Sequence, residues 1–339
     1  MQQVRVERSQ IKDRSNLNPL TGYIAVEIEV CSREKHGIDS YLHIGSGDIE
    51  IEYDRKRIIN EINKIRAYRW VNEADLRKFT NLITIEEYVD FQRLQEPVNA
   101  RRIISIPGSS IKGNIRSRIE LTLRPKEGRS ISCLTYQTFL QREPIKGMRG
   151  WRHYRIWRHA VENPREPRCN ATKWRNVCVV CNILGAPGLA SLINIGTFYL
   201  KNPDIPVEKL EQRNERIIAA KPRTVFSGSI TFRGLTTDEL GLLMIGMGQK
   251  ADGPSIVLIG KHKYITFAGR LMGRVVYNIK RVGIDSECSG EDGIKPGAVY
   301  EEGGIRDFII ECLNAADRKY GDYIEIIDEH SKAIEVNKT

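Results

Sequence analysis

Alternating apolar and polar residues predict four strands along the chain, at 21–31, 194–200, 225–234 and 273–279. Apolar residues at helical spacing predict three helices, at 109–123, 236–248 and 305–319. Threonine precedes acidic residues at the start of the second helix, which indicates a capped amphipathic helix. The pattern therefore predicts a protein that contains both helices and sheet.

The order of these elements along the chain narrows the fold class. Without the last helix, it is strand, helix, strand, strand, helix, strand, which predicts an α+β protein with a ferredoxin-like (RRM-like) βαββαβ core. Three long insertions interrupt this core, at 55–100, 124–192 and 201–224. We predict a single domain over residues 1–280, followed by a C-terminal helical extension and acidic tail over 281–339.

The first predicted helix begins in the sequence IPGSSIKGNIRSRIEL, residues 106–121. Ser109 or Ser110 would serve as its N-cap, since serine oxygens accept the free N–H groups of a first helical turn. Ile111, Ile115 and Ile119 lie four residues apart and form an apolar stripe that would pack on a core.

The same helix carries positive charge where a helix is already positive. Lys112 and Arg116 add two cations near an N-terminus whose macrodipole disfavours them, and a bound anion would relieve this conflict. Gly113 costs about 1 kcal/mol relative to alanine in a helix, which is understandable if something bulky approaches the backbone there. The alternative is an ordinary capped helix whose basic residues face water.

A cysteine cluster predicts a metal site. Cys178 and Cys181 form a CxxC pair, and Cys169 precedes them in CNATKWRNVCVVC. Two thiolates at this spacing can chelate Zn²⁺, and Cys169 with His159 would complete a tetrahedral Cys₃His site. A site with four protein ligands is structural, because no position is left for substrate. His153 and Cys133 are alternatives for the fourth ligand.

Charge and aromatic content indicate a polyanionic partner. The chain of 339 residues has a net charge of +10 and a pI near 9.2. Residues 142–175 hold ten Lys or Arg against three Glu, together with three of the four tryptophans. Cations interleaved with aromatic rings suit single-stranded nucleic acid, and the alternative is a solvated face anchored by its tryptophans.

Two further segments carry basic residues. The segment 202–224 would form a hairpin arm or a mobile loop, and 260–274 places glycines among cations as a second candidate phosphate seat. Asp48 and Asp54, near His43, are candidate carboxylates in the loop after the first strand.

No stretch is apolar enough to span a bilayer and no export signal is visible, so we expect a cytoplasmic protein without membrane contact.

Four motifs, taken in order, resemble those of RAMP-superfamily proteins, and more narrowly the backbone subunits of type III CRISPR (Csm/Cmr-type) effector complexes. They are LHIGSG at 42–47, IPGSSIKGNIRSRIE at 106–120, CVVCNILG at 178–185 and AGRLMGRV at 268–275. The resemblance spans roughly residues 20–280. Two departures from the family pattern stand out: a charged EYDRKR insertion follows the first motif, and the last motif has fewer glycines than is typical.

The resemblance implies roles for particular residues. The helix start would hold phosphates of the CRISPR guide RNA, 202–224 would form a thumb hairpin, and a zinc-pinned insertion would end at Cys178 and Cys181. Asp54, or Asp48, would cleave paired target RNA with Mg²⁺. The residues expected to contact RNA are His43, Ser109, Ser110, Lys112, Arg116, Arg213, Arg216, Arg223, Arg270 and Arg274.

The resemblance also implies partners: guide RNA, target RNA, other RAMP subunits, and the large and small subunits of the effector complex. Two functions remain open at this point, a guide-binding subunit with a metal-dependent endoribonuclease site and a non-catalytic structural or capping subunit. A stand-alone RNA-processing endonuclease would need a histidine-centred site that this sequence does not offer.

Overall fold

A computed structural model describes residues 3–45, 51–53, 83–85, 104–135, 143–202, 207–212 and 215–338. Most of the predicted insertion at 55–100 lies outside these residues. Within the described part of the chain, no helix is both long and apolar enough to cross a membrane.

The described residues form strands of two to eleven residues. In chain order these are β1 (Arg5–Val6), β2 (Ser9–Gln10), β3 (Leu20–Val30), β4 (Leu42–Gly45), β5 (Ile51–Tyr53), β6 (Ile83–Ile85), β7 (Ser105–Ile106), β8 (Arg129–Ser130), β9 (Asn176–Val177), β10 (Ile193–Ile195), β11 (Phe198–Leu200), β12 (Glu208–Gln212), β13 (Glu215–Ala220), β14 (Val225–Leu235), β15 (Gln249–Lys250), β16 (Gly253–Pro254), β17 (Val257–Leu258), β18 (Thr266–Phe267), β19 (Arg270–Leu271), β20 (Arg274–Ile284) and β21 (Val299–Glu301).

The helices of the described residues vary from four to eighteen residues. They are α1 (Arg33–His36), α2 (Gly108–Thr122), α3 (Trp151–Ile156), α4 (Arg158–Val161), α5 (Val179–Leu184), α6 (Thr237–Gly246), α7 (Gly303–Tyr320) and α8 (Glu329–Lys338). The predicted helices at 109–123, 236–248 and 305–319 correspond to α2, α6 and α7.

The centre of the molecule is an antiparallel sheet with the strand order β17, β20, β3, β14, β11, β7, to which β10 and β21 add at β14 and β20. Its three longest strands, β3, β14 and β20, have eleven residues each. Along β3, Ile24, Val26 and Ile28 are buried, as the alternating pattern predicts. Intervening Glu27 forms ion pairs with Lys201 and Lys280.

The helix α2 packs its isoleucine stripe into the core. Ile111, Ile115 and Ile119 are each no more than 1% exposed, and α2 contacts α6. At this crossing a Cβ on Gly246 would meet the side chains of Ile115 and Ile119 within 3.0 Å, so the two helices approach closely only because residue 246 has no side chain.

The helix α6 differs from its prediction as an amphipathic helix. Its capping-box residues are present, and the N–H of Thr236 donates to Oε2 of Glu239 at 3.0 Å. However, nine of its ten residues are buried, because α7 covers the side that would otherwise face water. A Cβ on Gly241 would lie 2.0 Å from the carbonyl oxygen of Cys312, which shows how closely α7 lies against it.

Two other segments differ in detail from the sequence prediction. The strand predicted at 194–200 is split into β10 and β11, which pair with separate parts of β14. The predicted acidic tail contains the helix α8, which contacts α3 and β17.

The segment 201–224 contains an antiparallel hairpin of β12 and β13, and β13 also pairs with β4.

Candidate metal centre and phosphate seat

Four buried cysteines from distant parts of the sequence lie close together. Cys133, Cys169, Cys178 and Cys181 are at most 2% exposed, and their sulfur atoms all lie within 4.8 Å of one another. The Sγ of Cys133 lies 3.5 Å from that of Cys181 and 3.7 Å from that of Cys178. Hydrogen bonds from the other three thiols lower the pKa of Cys169, which favours a thiolate in the cluster.

This group fits a zinc ion. Tetrahedral coordination with Zn–S bonds of about 2.3 Å places sulfur atoms ~3.8 Å apart, close to the separations found here. Four thiolates would fill all positions of the metal, so the ion would stabilise the segment and would have no open site for catalysis.

The structure corrects one predicted ligand. His159 does not belong to the cluster, because its Nε2 lies 3.0 Å from the carbonyl oxygen of Leu121. The alternative His153 is engaged with the hydroxyl of Tyr264 at 2.9 Å. Cys133, which follows β8 far from the CxxC pair in sequence, takes the fourth place. The group is therefore Cys₄ rather than Cys₃His.

Arg116 faces this cluster and not a phosphate seat, contrary to the sequence prediction. Its Nη2 donates to the Sγ of Cys181 at 3.0 Å and its Nη1 to the carbonyl oxygen of Gly185 at 2.9 Å. Its Nε donates to Glu120 at 2.8 Å. Burial lowers the pKa of Arg116, but the Glu120 carboxylate and a Cys181 thiolate outweigh it and leave that pKa above its ordinary value. A fixed cation here would offset the excess negative charge of a zinc–tetrathiolate group.

The helix α2 begins one residue before the predicted range 109–123, and its N-cap lies two or three residues before the predicted Ser109 or Ser110. Pro107 is the N-cap and Gly108 the first helical residue, because the extended backbone of Pro107 directs the chain into the helix. Ser109 and Ser110 therefore lie in the first turn, and both are exposed. The Ser110 N–H donates to the carbonyl oxygen of Pro107 at 3.0 Å.

Two glycines shape this turn in different ways. A Cβ on Gly108 would lie 2.0 Å from the carbonyl oxygen of Ile195, so this glycine is required for α2 to reach the sheet. A Cβ on Gly113 would meet no atom of the described chain within 4 Å. The backbone at Gly113 is exposed on the same turns as the two serines, which leaves room for a ligand to approach.

Lys112 is the cation that remains near this turn. Its side chain is partly buried, and its Nζ lies 3.4 Å from the carbonyl oxygen of Ile193. Burial lowers the pKa of Lys112, and the nearby charge of Arg116 lowers it further. A bound anion would stabilise the charged form of Lys112, which burial and Arg116 disfavour. Ser109, Ser110 and Lys112 therefore form a candidate phosphate seat.

The predicted basic residues of the last motif separate into two environments. Arg274 is fully buried, and it donates to the carbonyl oxygens of Lys263 and Met272. It therefore has no exposed surface for RNA to contact, which contradicts its predicted role. Arg270 is exposed, 3.3 Å from a carboxylate oxygen of Glu208 and over the ring of Tyr41.

Other predicted RNA contacts lie on the β12–β13 hairpin or close to it in the chain or sheet. Arg216 is exposed and paired with Glu211 at 3.1 Å, and Arg223 is exposed and paired with Glu34. Such surface pairs contribute little and can exchange for phosphate. His43 on β4 lies opposite Ala219 of β13, with its ring 5.6 Å from that of His262.

Three predicted site residues, Asp48, Asp54 and Arg213, lie outside the described residues. Their assigned roles remain predictions.

Sequence reasoning missed the residues that support the cluster. Glu120 accepts hydrogen bonds from the backbone and side chain of Thr135 and also pairs with Arg116. Arg165 is 1% exposed and donates to the carbonyl oxygens of Ser132 and Leu123. The i, i+4 spacing of Arg116 and Glu120 is a signal for their ion pair, whereas no local pattern marks Arg165 as buried.

The structure thus combines a mixed α/β fold with a buried cluster of four cysteines. The chain belongs to the RAMP superfamily, since the sequence model of that family matches residues 38–280. A search of curated proteins finds no match.

Several solved structures are similar at low identity. Thermofilum pendens Csc2 is 11% identical with a TM-score of 0.31, covering 97% of this chain and 84% of that chain. A chain of the Csm3-Csm4 subcomplex in the type III-A CRISPR-Cas interference complex is 13% identical with a TM-score of 0.27, and the match covers 94% of this chain and 97% of that chain. Methanopyrus kandleri Csm3 is 14% identical with a TM-score of 0.32, and the match covers 79% of this chain and 78% of that chain. The family assignment therefore rests on the sequence match.

Proposed function

We propose that this protein is a guide-RNA-binding backbone subunit of a type III CRISPR effector complex. The observation that carries the proposal is the start of α2, where Ser109, Ser110 and Gly113 are exposed and Lys112 is partly buried. A Cβ on Gly113 would meet no described atom within 4 Å. Membership of the RAMP superfamily and the net charge of +10 support it. Recognition would be of the RNA backbone, with sequence read by pairing between guide and target.

We further propose that the core is ferredoxin-like. The strand order β20, β3, β14, β11, with every neighbouring pair antiparallel, supports this proposal. These strands are the fourth, first, third and second of the βαββαβ unit, with α2 and α6 as its helices. In the same proposal, the β12–β13 hairpin is the thumb that reaches the guide, and other RAMP subunits are its neighbours in the assembly.

Replacing Gly113 by alanine tests the seat through two effects of opposite sign. Alanine favours the helix by about 1 kcal/mol, and its Cβ would meet no described atom within 4 Å, so stability to urea should increase. If an RNA backbone approaches this point, the added methyl group should weaken binding of a single-stranded RNA by at least about fivefold. Denaturant titration and RNA-binding titration measure the two effects separately.

The control is Ser117→Ala, one turn further along α2, where alanine also favours the helix. This variant should be at least as stable as the parent and keep its RNA affinity. If Gly113→Ala is stabilised and binds RNA as tightly as the parent protein does, the backbone at Gly113 does not contact RNA and the proposed seat is wrong.

A further inference from the structure

A cleft of about 950 Å³ lies beside the cysteine cluster, and we call it the Trp174 cleft. Residues 5–8, Arg129, Glu166 and residues 173–176 line it. These stretches are distant in sequence but are held together by strand pairing, because β1 pairs with β8 and β2 pairs with β9. Cys169 and Cys178, which flank residues 173–176, both belong to the cysteine cluster, and the N–H of Cys178 donates to the Sγ of Cys169 at 3.2 Å.

The charge of the cleft is strongly positive. Its charged lining residues are Arg5, Arg8, Arg129, Lys173, Arg175, Glu7 and Glu166. Two of the five cations are paired, Arg8 with Glu166 at 2.6 Å and Arg129 with Glu7 at 3.8 Å. The other three form no ion pair with any described residue. The cleft therefore has spare positive charge for an anionic ligand.

Trp174 is an exposed aromatic surface among these cations. It is 40% exposed, whereas Trp151 and Trp157 are 7% and 2% exposed. The guanidinium carbon of Arg8 lies 5.1 Å from the centre of its ring. Arg8 is itself fixed by Glu166 and by the carbonyl oxygen of Pro167 at 2.9 Å. The indole is thus held in place while much of its surface remains open to solvent.

We propose that the Trp174 cleft binds an unpaired ribonucleotide, with its base stacked on Trp174 and its phosphate held by Arg5, Lys173 and Arg175. A simple anion would need only the cations, and an acidic peptide would gain little from an exposed indole. A nucleotide uses both features, because bases stack on aromatic rings and phosphates bind cations. The site is separate from the start of α2 and goes beyond the function proposed above.

The test uses the full-length, zinc-loaded protein carrying Lys112→Gln, so that a failure of the helix seat cannot be mistaken for a failure of the cleft. The probe is a single-stranded hexa-adenylate RNA, and its affinity is measured by titration with tryptophan fluorescence as the signal. Adding Trp174→Ala should weaken binding roughly 5- to 150-fold, the range for one lost base stack. Trp174→Phe should retain most of the affinity.

Charge variants extend the same test. Arg175→Gln should make the negative slope of log affinity against log salt concentration shallower by about 0.7, as expected when one phosphate contact to a single strand is lost. Arg306→Gln, an exposed arginine on α7, should leave the slope unchanged. Zinc content and thermal midpoint are measured for each variant to establish folding, and Lys173→Gln replaces Trp174→Ala if the latter does not fold.

Three results would overturn the proposal. The first is equal RNA affinity with and without Trp174→Ala. The second is competition by tripolyphosphate as effective as that by the RNA, which would identify a general anion site. The third is tighter binding of an acidic peptide such as hexa-glutamate, which would identify a protein-binding surface.

Discussion

Replacing Cys133 by alanine is expected to abolish stoichiometric zinc binding and to destabilise the chain severely. Structural zinc contributes on the order of 10 kcal/mol to the folding of the segment that holds it. The other three cysteines would be left buried around an incomplete site, with the Sγ of Cys181 still bonded to Arg116. We expect the purified variant to contain well under one zinc per chain and to unfold at a much lower temperature.

Two control variants identify the cause of this loss. Cys312 is equally buried but lies outside the cluster, so Cys312→Ala should retain zinc and lose only about 1 kcal/mol of stability. His159→Ala should also retain zinc, because its ring is bonded to Leu121 and not to the cluster. Elemental analysis and thermal unfolding, with and without a chelator, measure both quantities. Full zinc occupancy in Cys133→Ala would contradict the Cys₄ assignment.

Replacing Glu329 by alanine is expected to cost about 3–5 kcal/mol of unfolding free energy, as for a buried ion pair that loses one partner. The Oε1 of Glu329 accepts hydrogen bonds from Nε and Nη2 of Arg118 at 3.0 and 2.6 Å, and from the N–H of Leu258 at 2.7 Å. Both charged side chains are at most 7% exposed. Without the carboxylate, Arg118 remains buried with its charge uncompensated.

The matched control is Glu335→Ala on the same helix, α8. Glu335 pairs with Lys332 at 3.3 Å on the surface, where an ion pair contributes about 0–1 kcal/mol. Urea titration gives the free energy of unfolding of both variants. A cost below about 1 kcal/mol for Glu329→Ala would mean that α8 does not anchor the C-terminal part of the chain through Arg118.

The local elements of the core could be predicted from the sequence because their signals are local. Alternation in 21–31 and 225–234 marks β3 and β14, and the isoleucine stripe marks α2, since each strand or helix buries one face. The cysteine pair of the CxxC motif was also found from spacing alone. The family resemblance was confirmed by the match over residues 38–280.

The remaining features depend on contacts between distant parts of the chain. Cys133 joins the cluster from 36 residues before Cys169, a separation that no ligand motif records. Arg116 and Lys112 have the expected spacing for one face of a helix, but only the position of Cys181 decides that Arg116 turns inward. Glu329 lies in the segment predicted as an acidic tail, and only its ion pair with Arg118, 211 residues away in sequence, brings it into the core.

The most direct test of the central claim compares Lys112→Gln with Arg116→Gln in zinc-loaded protein. The log of the affinity for a single-stranded RNA is measured against the log of the salt concentration, with exposed Lys332→Gln as the control. If Lys112 holds a phosphate and Arg116 holds the cysteine cluster, Lys112→Gln makes the negative slope shallower by about 0.7. Arg116→Gln then leaves the slope unchanged and weakens zinc retention. An unchanged slope in Lys112→Gln, or a lowered slope with full zinc retention in Arg116→Gln, would contradict the account.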